Sequence, residues 1–303
     1  MSDPRLVARR LPDGPGVYRF RDPDGRVLYI GRAGNLRRRV QSYWGRLGDR
    51  PRLVAMVRRI ASVEATWCDS EHEAAWLERN LLQRSRPRWN RIEGGSEVVG
   101  LIRLDPSRIA GLRFVHEADG PGRHFGPYLG GLRVRQAISA VHRVLPLPYA
   151  VATGGSSREF AVLFGVGPAD REALVATAVA VLEREPSAVS ATRSKLVRRR
   201  DRATAELRFE FAAKIQEEIA ALDWITAEQK ATTLDRSDEE VCGWADGVLV
   251  RYDVRAGRMC TWTRRLASER SARDRVLATP VRWEAFARRN AELAARLLNG
   301  EGS

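Results

Sequence analysis

Only three cysteines, Cys68, Cys242 and Cys260, occur in 303 residues, and no two stand in a Cys-x-x-Cys spacing. That scarcity argues against a disulfide framework and against a structural zinc site, and it fits a reducing, cytoplasmic compartment. Lysine is as rare, at Lys195, Lys214 and Lys230. The basic charge is therefore nearly all arginine. A planar guanidinium suits phosphate, but genome composition produces the same bias, so arginine excess alone assigns no function. No apolar run approaches the length of a membrane-spanning helix, and no signal-peptide pattern opens the chain. The four histidines, His72, His116, His124 and His142, are scattered and read as non-catalytic.

What is abundant is positive charge. There are 52 basic residues against 38 acidic ones, a net charge of +14. Such a surface expects a polyanionic partner, with nucleic acid the first candidate. The length implies two or three domains, each able to bury a core.

The richest stretch runs from Gly16 to Asn90. Gly16-Val17-Tyr18 and Tyr29-Ile30-Gly31 read as two strands of a hairpin, with Asp22-Pro23-Asp24-Gly25 as the turn. Leu36, Val40 and Tyr43 then fall on one helical face flanked by arginines. Apolar spacing predicts a second helix over 51–60, and alternation predicts a strand over 63–68. Ser70 with Glu73 forms a capping box for a helix that carries Glu78, and Arg86-Pro87 ends it.

These motifs resemble the GIY-YIG nuclease family, in the form found at the N-terminus of the excision-repair nuclease UvrC. The resemblance covers roughly residues 10 to 92. It rests on Pro15-Gly16-Val17-Tyr18, Tyr29-Ile30-Gly31-Arg32-Ala33, Leu36 with Arg39, Ser42-Tyr43, the run from Glu71 to Leu82, and Arg86-Pro87-Arg88-Trp89-Asn90. It implies that Glu78 is the only protein ligand of one divalent cation, Mg²⁺ or Mn²⁺, since a hard carboxylate oxygen suits either. Tyr18 and Tyr29 are the candidates for proton transfer, and which of them is the base stays open. Arg39 would bind the scissile phosphate and Arg32 would add a second cation, while Asn90 would orient the site. Arg37, Arg38, Arg46 and Arg88 are expected on flanking phosphates, giving salt-sensitive affinity without sequence preference.

The resemblance continues beyond this stretch. His124-Phe125-Gly126-Pro127-Tyr128 looks like the Phe-Gly-Pro-Tyr turn that precedes a helix in UvrC. Leu145 to Tyr149 lacks the cysteines that often follow there, so no iron–sulfur cluster is expected. Residues 205–222 resemble the UVR motif, a helical hairpin through which UvrC meets UvrB. Phe209, Ala212, Ala213 and Ile219 would be its contact residues. Gln216-Glu217 replace the family's Arg-Asp, which leaves UvrB binding open. The expected class is α+β. Its divisions are a nuclease domain over 1–95, a middle unit over 96–150, a linker and helix over 151–189, the hairpin over 190–230, and a terminal β-hairpin with a helix over 231–303. A single nuclease site is expected, as in the shortened UvrC homologue called Cho.

The function this implies is incision of damaged double-stranded DNA on the 3′ side of a lesion, with UvrB as partner and UvrA upstream and no membrane. Two alternatives stand beside it: a nuclease that cuts branched DNA without UvrB, and a non-catalytic adaptor that binds DNA or UvrB.

Overall fold

The computed structural model describes residues 3–45, 51–90, 97–105, 107, 111–150 and 156–299, without the side chains of 156–158. They fall into two compact units. One joins residues 1–96 to 229–303, and the other is 97–228.

The chain opens with a helix where the sequence reading expects only a polar lead-in. In α1 (Pro4–Arg9) the Asp3 side chain accepts the Arg5 N–H, and Pro4 occupies the first turn. Both are helix-start chemistry. Val7, Ala8 and Leu11 are buried. Strands β1 (Gly16–Arg21) and β2 (Val27–Ala33) form the expected hairpin, with Tyr18 opposite Gly31 and Phe20 opposite Tyr29. Gly25 in its turn has φ 77°, which glycine adopts without strain. Helix α2 (Leu36–Gln41) is capped by Asn35, whose side chain accepts the Arg38 N–H. A 3-10 turn, Ser42–Trp44, and α3 (Pro51–Val57) follow.

Strand β3 (Ser62–Trp67) pairs with the other edge of β1 to give the antiparallel order β2-β1-β3. In α4 (Glu71–Arg84) Ser70 accepts the Glu73 N–H, and the Glu73 carboxylate accepts the Asp69 N–H. Period-2 alternation sends Tyr18, Phe20 and Tyr29 to one face of the sheet, where they join Leu36, Val40, Tyr43 and Met56 in the core.

The second unit begins with β4 (Val99–Leu104), β5 (Leu112–Val115) and β6 (Arg123–Leu129), in the order β5-β4-β6. His124 to Tyr128, expected as a turn, is therefore strand. It pairs antiparallel with β4 through an irregular register between Gly100 and Ile102 that accommodates Gly126-Pro127. Helices α5 (Gly131–Val144), α6 (Ser156–Phe164), α7 (Arg171–Leu182), α8 (Pro186–Ala205) and α9 (Phe209–Thr226) complete the unit. The glycine-rich loop expected at 151–158 lies outside the described residues up to 155, and α6 starts at Ser156.

The last part of the chain returns to the first unit. It holds three strands rather than two, because β7 (Glu239–Ala245) precedes the expected hairpin of β8 (Val248–Arg255) and β9 (Arg258–Leu266). Helix α10 (Glu269–Leu277) is also additional, and α11 (Val281–Leu298) matches the expected terminal helix. A Cβ on Gly243 would lie 2.1 Å from the Ala287 carbonyl, so α11 lies directly on the β7 backbone.

Buried polar pins fasten this part to the N-terminal sheet. The Asn290 amide donates to the Trp67 carbonyl at 3.0 Å and accepts the Trp67 N–H at 2.7 Å. Asn80 donates to Ala231 O at 3.1 Å and to Thr232 Oγ1 at 2.9 Å. Asp69 pairs with Lys230 and Arg289. No helix among the described residues is long and apolar enough to cross a membrane.

Candidate active site

Three tyrosines meet on the inner face of the β1–β2 hairpin. Their ring centroids are 6.2 Å apart for Tyr18 and Tyr29, 5.9 Å for Tyr18 and Tyr43, and 6.1 Å for Tyr29 and Tyr43. The hydroxyls of Tyr18 and Tyr43 are hydrogen-bonded at 2.7 Å. Arg39, one turn before Tyr43 on α2, donates to the Tyr43 hydroxyl at 3.5 Å, and its guanidinium carbon lies 5.2 Å from that ring. Tyr18 is fully buried while Tyr29 is half-buried, so Tyr29 is the one with access to solvent.

Tyr43 is the functional candidate that the sequence reading placed on a helical face with Leu36 and Val40 and gave no role in the chemistry. A buried tyrosine needs a partner for its hydroxyl. That requirement, applied to an apolar helix face bearing Arg39 four residues earlier, is the signal that points to it.

Burial pushes the Tyr18 hydroxyl well above the ordinary tyrosine range. The neighbouring Tyr43 and Tyr29 add to that and the Arg39 charge opposes it. Tyr29 is raised too, by burial first, then by Tyr43 and Glu78. For Arg39, burial works against the charge, yet the three tyrosines hold it more firmly protonated than usual. At neutral pH Tyr18 and Tyr29 are therefore protonated phenols beside the Arg39 cation.

Glu78 comes from the middle of α4 to the edge of β2. Its Oε1 accepts the Arg32 main-chain N–H at 3.2 Å, and its Oε2 lies 3.4 Å from Arg32 Nε. The carboxylate is about one-fifth exposed and thus open on one side. Among the described residues no group of three or more His, Cys, Asp or Glu side chains is placed to hold a metal ion. A divalent cation held by Glu78 would take the rest of its shell from water and phosphate oxygen. A hard, strongly hydrated ion fits that donor set.

The Asn90 side chain is bound to the β2 main chain. Its Oδ1 accepts the Ile30 N–H at 3.1 Å and its Nδ2 donates to the Ile30 carbonyl at 2.8 Å. One side chain thus satisfies both main-chain groups of Ile30, as a neighbouring strand would. The two bonds hold the β2 edge between Tyr29 and Arg32.

The arginines expected on flanking phosphates divide. Arg38 and Arg88 are exposed. Arg37 is engaged within the chain, with Nε donating to Leu11 O at 2.7 Å and Nη1 2.7 Å from Asp13. Arg46 lies outside the described residues. The hairpin residues expected to meet a partner also divide. Ala212 and Ile219 are buried within their own unit, whereas Phe209 and Ala213 are exposed. The period of α9 decides this, because the face carrying Ala212, Ile215, Ile219 and Leu222 is the buried one.

Comparison with known proteins gives the family of this stretch. A family described as the UvrC-like GIY-YIG domain matches residues 14–91. UvrABC system protein C of Geobacter metallireducens is 31% identical over 253 residues, which cover 77% of this chain and 40% of that protein. The same protein of Aromatoleum aromaticum is 33% identical over 252 residues, 79% of this chain and 41% of that one. The chain spans about two-fifths of the length of these curated relatives. The crystal structure of the N-terminal GIY-YIG endonuclease domain of UvrC from Thermotoga maritima, bound to magnesium as its catalytic divalent cation, is 31% identical. It covers 30% of this chain and 99% of that one, with a TM-score of 0.28. Residues 14–91 are a UvrC-like GIY-YIG domain, and the chain is homologous to UvrABC system protein C over most of its length.

Proposed function

We propose that this chain is a metal-dependent DNA endonuclease of nucleotide excision repair, which hydrolyses one phosphodiester on the 3′ side of a lesion in DNA presented by UvrB. The observation that carries the reading is the convergence of Tyr18, Tyr29, Tyr43 and Arg39 on one side of β2 with Glu78 at its edge. The 3′ assignment and the partners UvrB and UvrA come from the resemblance to UvrC.

Phosphodiester hydrolysis needs a held phosphate, a group that takes a proton from the attacking water, and stabilisation of the charge that develops. Arg39 presents a planar fork of donors suited to two phosphate oxygens. Glu78 is the residue that would hold Mg²⁺ or Mn²⁺, which when bound supplies charge neutralisation at the scissile phosphate. Tyr29 is the better placed base, because it is half-buried whereas Tyr18 is fully buried. Asn90 keeps the Tyr29 backbone in register.

The raised tyrosine values set the pH dependence. Only the deprotonated phenol accepts a proton, and its fraction below the pKa grows tenfold per pH unit. With burial holding Tyr29 above its ordinary value near 10, kcat/KM for nicking should climb from pH 6 to pH 9 without levelling. Tyr29→Phe should flatten that climb. A plateau in the wild-type profile below pH 8 would remove Tyr29 as the base.

The test of the function is strand cleavage of a duplex carrying one bulky lesion, with Mg²⁺. The protein is assayed alone, with UvrA and UvrB, and as Glu78→Ala. The expected result is a single nick 3′ of the lesion that needs both partners and falls by about 100- to 1,000-fold in Glu78→Ala, the range reached when one main electrostatic contribution is removed. Cleavage of flaps or junctions by the protein alone, with the lesion duplex untouched, would overturn the repair reading while keeping the nuclease. Intact DNA binding without cleavage of any substrate would leave an adaptor.

A further inference from the structure

The second unit contains a cleft of about 260 Å³ that the incision chemistry does not use. Its walls are Val144 at the end of α5 and Lys195, Arg198, Arg199 and Arg202 on α8. The four cations stand at i, i+3, i+4 and i+7, so they share one helical face. At 1.5 Å per residue they extend over about 10 Å, the axial length of about three nucleotides of one DNA strand.

Arginine is plentiful in this chain, so number alone means little; placement is what separates these four. The neighbouring cations on the same helix are neutralised, Arg193 by Asp223 at 3.0 Å and Arg200 by Asp201 at 2.7 Å. Lys195, Arg198, Arg199 and Arg202 have no ion-pair partner among the described residues, and no acid lines the cleft with them. Burial, with the charges of Arg143 and Arg202, works against the Arg199 cation. Arg143 is itself turned to Glu218, at 2.7 Å from Nη2 to Oε1. Like charges gathered in a concavity repel one another, and an anion seated among them relieves that repulsion.

We propose that this cleft is a second phosphate-binding site, which grips the backbone of a nucleic-acid strand apart from the incision site on the first unit. The inference rests on the nucleic-acid reading given above. Phosphate oxygens are the ligand chemistry, the contacts carry no base specificity, and the strand supplies several phosphates at once.

Each phosphate neutralised on duplex DNA contributes about −0.9 to the slope of log K against log salt. The experiment compares undamaged duplex binding over a salt series by the full-length protein and by the variant Lys195→Gln, Arg198→Gln, Arg199→Gln, Arg202→Gln. Glutamine keeps helix propensity, and circular dichroism checks the fold. A loss of about 3 in the magnitude of the slope, with binding at least tenfold weaker near physiological salt, is expected. Replacing the three arginines by lysine should preserve the slope. A control set of exposed arginines, Arg265, Arg270, Arg273 and Arg288, changed to glutamine should alter it less.

An unchanged slope in the α8 variant, while the wild type binds duplex normally, overturns this site and leaves the proposed function standing. An equal change from the control set also overturns it, reducing the cluster to general charge. If pyrophosphate at constant ionic strength binds the cleft as tightly as DNA does, the ligand is a small anion and the strand assignment fails. Absence of any salt-dependent DNA binding by the wild type would overturn the site and the proposed function together.

Discussion

Glu64→Gln should lower the stability of the first unit by about 3–5 kcal/mol at pH 7, the range found when one partner of a buried ion pair is removed. Glu64 is 6% exposed on β3 and is shared by three arginines. Arg19 donates to its Oε2, Arg21 Nε to its Oε1 at 2.9 Å, and Arg264 Nε lies 3.5 Å from Oε1. Arg19 also donates to the Trp262 carbonyl at 3.0 Å and stacks 4.0 Å over that indole. Burial draws the Arg19 guanidinium down to about 10 despite the attraction of Glu64. Without the carboxylate, three cations remain close together at a desolvated position, with nothing to offset their repulsion.

The same cluster fixes a pH signature. For Glu64, burial would raise the carboxyl, but Arg19, Arg264 and Arg21 outweigh it and hold the group below its ordinary value. A depressed folded-state pKa contributes stability above the unfolded value near 4.5, and that contribution is lost as pH falls through the folded value. The difference between wild type and Glu64→Gln, measured by urea unfolding, should be full at pH 7 and shrink toward pH 3. A difference below about 1 kcal/mol at pH 7 would mean that the cluster holds little. Because Trp262 and Arg264 belong to β9, the variant should also expose the C-terminal sheet to protease before the N-terminal sheet.

These long-range pins explain which parts of the molecule were legible in the sequence. The β1–β2 hairpin and the cap of α4 were readable because their signals lie within a few residues, as Pro-Asp-Gly in the turn and as Ser70 at the helix start. Glu78 and Arg39 came from the family motifs, and local periodicity placed them correctly on α4 and α2. The docking of the C-terminal segment was not readable, since it depends on pairs such as Arg19 with Trp262, 243 residues apart. Nothing in the local pattern of Glu239–Ala245 separates β7 from a loop until Gly243 is seen to receive the α11 backbone. Asn90 illustrates the intermediate case. Motif spacing singled it out, but only the two hydrogen bonds to Ile30 show that it acts on the backbone.

Gly31→Ala should reduce nicking by at least about 100-fold while the protein remains folded. Gly31 has no unusual backbone angle, so what the position demands is space. A Cβ there would sit 2.6 Å from the Tyr18 hydroxyl, 2.7 Å from Tyr29 Cε1 and 2.8 Å from Tyr18 Cζ. All three contacts are closer than carbon atoms tolerate, and both rings would have to move. Tyr18 cannot yield without stretching its 2.7 Å bond to Tyr43, and through Tyr43 the Arg39 contact.

A displacement of about 1 Å in catalytic geometry costs about 100-fold in rate. Overpacking by one methyl group costs about 1–3 kcal/mol in stability. Gly25→Ala supplies the contrast, because Gly25 has φ 77° and nothing within 4 Å of its Cβ position. That change strains the turn and should cost about 1 kcal/mol, yet leave the nicking rate within a factor of two. The pair is read from single-turnover nicking and thermal unfolding side by side. Activity that tracks stability in both variants would assign Gly31 to folding alone. Activity lost only in Gly31→Ala means that the glycine keeps the three tyrosines in register.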